Sequence, residues 1–330
     1  MRPFDYLAPT DAATAVRTVA TNPTATYLAG GTNLVDHLKL GITHPDLLVD
    51  TAAITTAGIT DHHGGLLIGA ATRNSDIAAD HRVRTRYPAL AEALLSGASG
   101  QLRNMATAAG NPLQRTRCPY FQDATTPCNK RRPGSGCAAI GGHTRGHAIL
   151  GASDHCVATH PSDMAVALTA LDATLHILGP DGPRTLPCTD LHRLPGTDPT
   201  RDTVLEHGDL ITAIELPHNP LARRSRYRKV RDRASYAFAL VSVAAALETT
   251  DGIITDARLA FGGVAHKPWR AYRAEQALLG QPANDTTYRT AAEAELTDAQ
   301  PLNGLDGGNS FKVPLLTRTV IATLRNLDQR

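Results

Sequence analysis

Four of the five cysteines, Cys118, Cys128, Cys137 and Cys156, crowd into one stretch, with 9, 8 and 18 residues between successive members. Four thiolates on one loop can hold a metal centre, and the binding energy then orders a segment that has no core of its own. Structural zinc usually shows paired Cys-x(2-4)-Cys knuckles, which are absent, whereas iron–sulfur clusters take more varied spacing. Two disulfides or four unrelated buried thiols are the other readings, and a reducing compartment disfavours the disulfides. Cys188 lies outside the stretch and reads as a small buried apolar residue.

A second chemistry-bearing feature is Ala29-Gly30-Gly31-Thr32-Asn33 between a strand pattern and a helix pattern. Glycines there let backbone N–H groups approach a phosphate, and the helix start adds partial positive charge. The run fits neither G-x-G-x-x-G nor G-x(4)-G-K-[ST], so it supports neither a Rossmann nor a Walker site. Gly-Gly turns also arise for steric reasons alone. Thr107 to Pro112 offers another close backbone approach, with a plain turn as its simpler reading. Asp163, after His160-Pro161-Ser162, can accept hydrogen bonds from a ligand hydroxyl, or it and Ser162 simply cap a helix. Seven of the eleven residues from Arg223 to Arg233 are basic. That run reads as a solvated face or a docking strip for an acidic partner, with Lys229 on a strand able to face an anionic cofactor. The fourteen histidines show no H-E-x-x-H or paired ligand spacing, and no nucleophile-and-base motif appears.

These residues need elements to position them. Ala12, Ala15, Val16 and Val19 recur at helical spacing after the cap Asp11, strands are expected near 24–30 and 46–50, and the opening unit is α/β in character. A second unit begins near Gly64 with the strand GLLIGA, one helix over DIAADHRV capped by Asn74 or Ser75, and another from Pro88. Hydrophobic periodicity then disappears from 114 to 159, a loop too long to be structureless without a function. Regular structure resumes with a helix from Ser162-Asp163, a hairpin, and a strand over 209–217. A boundary falls near Pro217 to Arg224. Beyond it, three strand-like runs precede three helical patterns near 270–279, 288–296 and 315–327, the order of an α+β domain.

The whole chain has 330 residues, 33 Lys+Arg against 31 Asp+Glu, and 42% apolar residues. That is enough for two domains or one large one with room for a cofactor. Near-neutral charge argues against a dedicated nucleic-acid binder. No run reaches the ~18 apolar residues of a membrane span. MRPFDYLAPTDAATAV lacks the basic region, apolar core and cleavage site of an export signal, so assembly in the cytoplasm is expected.

Taken together, the segments 27–34, 97–121, 127–140, 158–168 and 227–245 resemble the FAD-binding subunit of the molybdenum hydroxylases, the xanthine dehydrogenase and aldehyde oxidase family. The likeness runs through essentially the whole chain and is greatest to bacterial aldehyde oxidoreductases of the periplasmic type that carry an additional 4Fe-4S cluster. It implies an α+β protein: a PCMH-type FAD-binding fold of two α/β subdomains (1–57 and 58–217, with an iron–sulfur insertion at 114–159) and a C-terminal α+β domain (224–330) like the CO dehydrogenase flavoprotein tail, with a three-stranded antiparallel sheet. Tyr27, Leu28, Ala29, Gly30, Gly31, Thr32, Asn33 and Leu34 would wrap the FAD pyrophosphate. Thr107, Gly110 and Asn111 would form a second wall, Asp163 would reach the ribityl and diphosphate part, and Ile211 and Lys229 would flank the flavin. The four loop cysteines match the 4Fe-4S ligands. Ala109 departs from the family, where many members have the first of two glycines.

The resemblance implies an oxidoreductase subunit without a substrate-oxidising site of its own. Its partners would be a molybdenum large subunit and a small subunit with two 2Fe-2S clusters, in a heterotrimer. Electrons would reach FAD from the iron–sulfur clusters and leave to an external acceptor. Related complexes cross to the periplasm on a signal carried by the small subunit. A stand-alone flavin oxidoreductase and a zinc-stapled scaffold without redox chemistry are the competing readings.

Overall fold

A computed structural model of the chain describes residues 1–329. Its first unit is a parallel sheet of β1 (Asp5–Leu7), β2 (Ala25–Leu28) and β3 (Leu47–Asp50), in the order β1-β3-β2. Parallel neighbours need crossovers, and α1 (Ala12–Thr21) and α2 (Leu34–Leu40) supply them. The Asp11 carboxylate accepts the N–H of Thr14 at 2.7 Å and starts α1. The face of α1 carrying Ala15 and Val19 packs on Ala25 and Val49 to make a small core.

The second unit holds β4 (Ile59–His62), β5 (Gly65–Gly69), β6 (Thr174–Gly179), β7 (Gly182–Pro187) and β8 (Leu210–Leu216), an antiparallel sheet in the order β4-β5-β8-β6-β7. Between β5 and β6 run α3 (Asn74–Ala79), α4 (His81–Arg86), α5 (Pro88–Ser96), α6 (Gly100–Arg103), α7 (Pro119–Gln122) and α8 (Asp163–Ala170); α9 (Cys188–Leu191) follows β7. The single helix expected over 76–83 is two helices. The Asp80 carboxylate accepts the Arg82 N–H at 2.8 Å and starts α4 afresh, so a cap overrides the continuous hydrophobic pattern. All eight residues of α8 are buried, as expected of a helix covered on every side. Its cap is Ser162, whose hydroxyl accepts the Ala165 N–H at 2.9 Å.

After a 3₁₀ turn at Pro220–Arg224 comes an antiparallel sheet of β9 (Ser225–Val230), β10 (Val241–Thr250), β11 (Ile253–Gly262) and β12 (Trp269–Arg270), in the order β12-β11-β10-β9. The expected three strands are therefore four. Trp269–Arg270 pairs with Phe261 and Ala260, and two residues are too few for any periodicity to announce them. Helices α10 (Tyr272–Leu278), α11 (Asp285–Glu295) and α12 (Lys312–Asp328) close the domain, with Leu316, Val320 and Leu324 packed in one core with Val243, Leu259 and Phe261. β10 begins at Val241, five residues later than Tyr236, where the apolar run starts. The residues before it form a loop over the cavity described next.

Candidate cofactor-binding site

A cavity of about 730 Å³ opens between the three units, and every residue expected around a flavin lines it except Leu28. The Leu28 carbonyl is instead occupied by the N–H of Thr51 at 2.9 Å. The first wall is the turn from β2 into α2. A Cβ on Gly30 would lie 2.0 Å from the Met105 carbonyl oxygen, and Gly31 has φ +70°, so both positions require glycine. Asn33 leaves its helix end uncapped and accepts the Arg115 N–H on Oδ1 at 2.9 Å. Tyr27 donates its hydroxyl to the Gly208 carbonyl at 2.7 Å, and burial pushes that phenol well above its ordinary range.

The second wall is Thr107 to Asn111. Ala109 is not among the positive-φ residues, so an alanine there carries no left-handed strain. Ser162 donates to Oδ1 of Asn111 at 2.5 Å and so ties this wall to the start of α8. Next to it, Asp163 accepts the Tyr227 hydroxyl at 2.5 Å and the Lys229 ammonium at 2.7 Å, all three side chains being buried or nearly so. The basic run is thus not one solvated face. Lys229 points inward, Arg226 pairs with Glu92, and Arg231 donates to the Ser96 carbonyl at 2.8 Å.

Several cavity residues carried no sequence signal of their own, Arg233 none beyond its place in the basic run. Arg103, Arg115, Arg117 and Arg233 line it, a positive contribution suited to a diphosphate. Nε of Arg117 and Oδ1 of Asn74 are buried there without partners. Burial, with Arg115 and Arg117 nearby, pushes His37 down to about 4, so it is neutral. Tyr236 and Phe238, about half exposed, close one side from the loop before β10. Two glycine positions that exclude a side chain, orphaned buried polar atoms and the guanidinium groups fit a dinucleotide of FAD type.

Cys118, Cys128, Cys137 and Cys156 line one pocket together, among Phe121, Ala139 and Val157. The five cysteines are free, so the disulfide alternative is not realised among the described residues. Burial pushes the Cys118 thiol up to about 12 and Cys156 up to about 11. Cys188 is buried in the second unit's core, as its sequence context suggests. Among the described residues no group of three or more His, Cys, Asp or Glu side chains is spaced for a single metal ion. The loop is held by polar ties. Asn129 Oδ1 accepts the Gly136 N–H at 2.8 Å, and Lys130 reaches the Pro199 carbonyl at 2.7 Å and Asp202 at 2.5 Å. Asp202 also accepts from Nε of Arg115 at 2.6 Å, so one half-buried carboxylate links the cysteine loop to the residue that holds Asn33. A further cavity of about 370 Å³ is lined by Arg117, Cys118 and Asp163 among others.

Residues 2–219 match the FAD-binding domain in molybdopterin dehydrogenase, and residues 225–327 match the CO dehydrogenase flavoprotein C-terminal domain. The chain belongs to the FAD-binding medium subunits of the molybdenum hydroxylase family. This subunit is 49% identical to the aldehyde oxidoreductase FAD-binding subunit PaoB of Escherichia coli (strain K12), over 98% of each chain. It is 28% identical to the glyceraldehyde dehydrogenase medium chain of Sulfolobus acidocaldarius, over 94% of this chain and 92% of that one. Its fold superposes on carbon monoxide dehydrogenase from Hydrogenophaga pseudoflava with a TM-score of 0.77 and 25% identity, covering 99% of this chain and 98% of the other. The subunit is therefore an FAD-binding oxidoreductase subunit with the mixed α+β fold of that family. No helix among the described residues is long and apolar enough to cross a membrane.

Proposed function

We propose that the chain is the FAD-binding electron-transfer subunit of a molybdenum-containing aldehyde oxidoreductase. It would assemble with a molybdenum large subunit and a small subunit bearing two 2Fe-2S clusters, accept electrons from iron–sulfur centres and pass them to an external acceptor. The observation that carries this reading is the meeting of two sites. A flavin-sized cavity walled by Gly30-Gly31, Thr107–Asn111, Asp163 and Lys229 lies beside a pocket bounded by four cysteines. The likeness to an aldehyde oxidoreductase subunit supports the substrate class. FAD, when bound, supplies the exchange between two-electron and one-electron chemistry.

The chain's own residues have the following parts. The glycine turn brings backbone N–H groups to the diphosphate, Asp163 binds toward the ribityl chain, and Ile211 and Lys229 flank the ring system. Lys229 would favour a reduced, anionic flavin by its charge. Cys118, Cys128, Cys137 and Cys156 would ligate a 4Fe-4S cluster. The four cysteines line one pocket and lack the paired Cys-x(2-4)-Cys knuckles of structural zinc, which supports an iron–sulfur centre over the zinc scaffold. Separate cores around Val49, Leu90 and Leu259 support functional units at 1–57, 58–217 and 224–330.

Co-expression with candidate large and small subunits, followed by aldehyde oxidation with a dye acceptor, tests the assignment. Turnover lost on removing this chain alone, with the molybdenum site still reduced by aldehyde, is the expected result. Aldehyde oxidation by the isolated chain would favour the stand-alone reading instead.

A further inference from the structure

Nε2 of His147 lies 3.2 Å from Sγ of Cys118. The ring is buried, and its Nδ1 has no partner. The residue is pinned in place from both directions. Its N–H donates to the Thr144 carbonyl at 2.9 Å, and its carbonyl accepts Nζ of Lys312 at 2.8 Å and Nδ2 of Asn309 at 3.1 Å. Lys312 and Asn309 are fully buried, and Lys312 also donates to the Gly263 carbonyl at 2.7 Å. The C-terminal domain therefore aims this imidazole at one cysteine of the inserted loop.

A thiolate ligand only accepts hydrogen bonds, whereas a neutral imidazole carries a single N–H on one of its two nitrogens. Nδ1 makes no hydrogen bond of good geometry, so a proton placed on Nε2 faces sulfur, the tautomer in which the ring is a donor to Cys118. Donation to a ligand sulfur stabilises the negative charge added on reduction, which raises an iron–sulfur potential. We propose that His147 is a positioning and tuning residue: it donates Nε2–H to Sγ of Cys118 and raises the reduction potential of the centre held by the four cysteines. The proposal rests on the reading that those cysteines bind iron.

The test is an anaerobic redox titration of the assembled enzyme followed by electron paramagnetic resonance. The signal is identified by its loss in Cys118→Ser, and wild type is compared with His147→Ala and His147→Gln. His147→Ala should shift the oxidised-to-reduced ratio at a fixed potential about tenfold toward oxidised, equal to a midpoint lowered by about 59 mV for one electron. His147→Gln, which keeps an N–H donor, should recover part of the shift. An unchanged midpoint in His147→Ala with iron retained overturns the proposal. Should the alanine variant lose iron, wild-type enzyme carrying nitrogen-15 histidine decides: hyperfine coupling of one imidazole nitrogen to the reduced centre is expected, and its absence overturns the proposal. Iron-free wild type overturns the iron reading itself, which is a different result from iron present with an unmoved potential.

Discussion

Ser162 and Asn111 lie 51 positions apart, yet the Ser162 hydroxyl donates to the Asn111 carboxamide at 2.5 Å. The cysteine loop thus leaves and re-enters the protein at one point on the cavity wall. A loop that begins and ends at the same place leaves the surrounding fold intact and sets its contents beside the cavity. The same hydroxyl caps α8, so one atom serves the helix and the wall together.

Ser162→Ala removes both bonds. Loss of a cap costs about 1 kcal/mol, and loss of the Ser162–Asn111 bond adds at most a similar amount, since Gln114 Nε2 still donates to the carboxamide at 3.2 Å. The variant should melt earlier and retain less FAD on gel filtration, while Ser162→Thr should behave nearly as wild type. Equal FAD retention in Ser162→Ala would show that the wall stands without this tie.

Gly30→Ala puts a methyl group 2.0 Å from a backbone oxygen, which cannot be relieved by a side-chain rotation. Overpacking of this kind costs roughly 1–3 kcal/mol, and the displaced turn should lose FAD. Gly100→Ala, where a Cβ meets nothing within 4 Å, is the matched control. Flavin absorbance per polypeptide compares them; equal flavin content would mean the turn does not contact the cofactor.

Asp202 lies half-buried between Arg115 and the buried Lys130, and those two charges hold its carboxyl well below the usual carboxylate range against the opposing effect of burial. Asp202→Asn leaves the buried Lys130 ammonium and the partly exposed Arg115 without their carboxylate, and access to water on one side should keep the loss below the ~3–5 kcal/mol of a fully buried pair. Both FAD and iron content should fall, because Arg115 holds Asn33 and Lys130 follows Cys128. The double variant Asp202→Asn with Lys130→Met should be less impaired than the sum of its single changes. Strict additivity in thermal melts would show that the pair is not coupled.

Burial pushes His192 and His266 down to about 4. They sit with His160, Asp202, Lys130 and Lys267, the carboxylate opposing the shift and the cations reinforcing it. The unfolded chain therefore takes up protons below about pH 6.5 that the folded chain refuses. The histidine contribution should be fully present above that pH and should be lost as pH drops from 6.5 toward 4, by up to on the order of 2 kcal/mol for each histidine. Denaturant melts of the FAD-loaded protein across this range measure the slope, and His192→Gln should reduce it. A flat profile would contradict neutral burial.

Much of the cavity's lining was legible because it leaves local marks: Gly30 and Gly31 sit where a side chain does not fit, and the cysteines stand out in a stretch without apolar periodicity. The tertiary ties were not legible. Asp202, Arg115 and His147 act through contacts between distant segments, and nothing in a short window separates them from surface residues. Asp80 broke a helix that the pattern of Ile77, Ala78 and Val83 joined, since a cap competes with periodicity one residue at a time. The two residues of β12 gave no pattern at all. Leu28, the last residue of β2, does not line the cavity, and its side chain lies against Gly31 instead.

Lys229 and Asp163 meet at 2.7 Å on the cavity wall. Lys229→Ala should lower the flavin midpoint potential, because a cation beside the ring stabilises its reduced, anionic form. Spectroelectrochemistry of the assembled enzyme measures it, and an unchanged potential would remove Lys229 from that role.

The most direct measurement is the iron, sulfide, zinc and flavin content of this polypeptide, purified anaerobically from its assembly, beside the visible spectrum of a Cys118→Ser/Cys156→Ser variant. The account predicts about four irons and four sulfides per FAD, with iron and its broad absorption lost in the variant. Flavin with no iron, or one zinc in its stead, would contradict it.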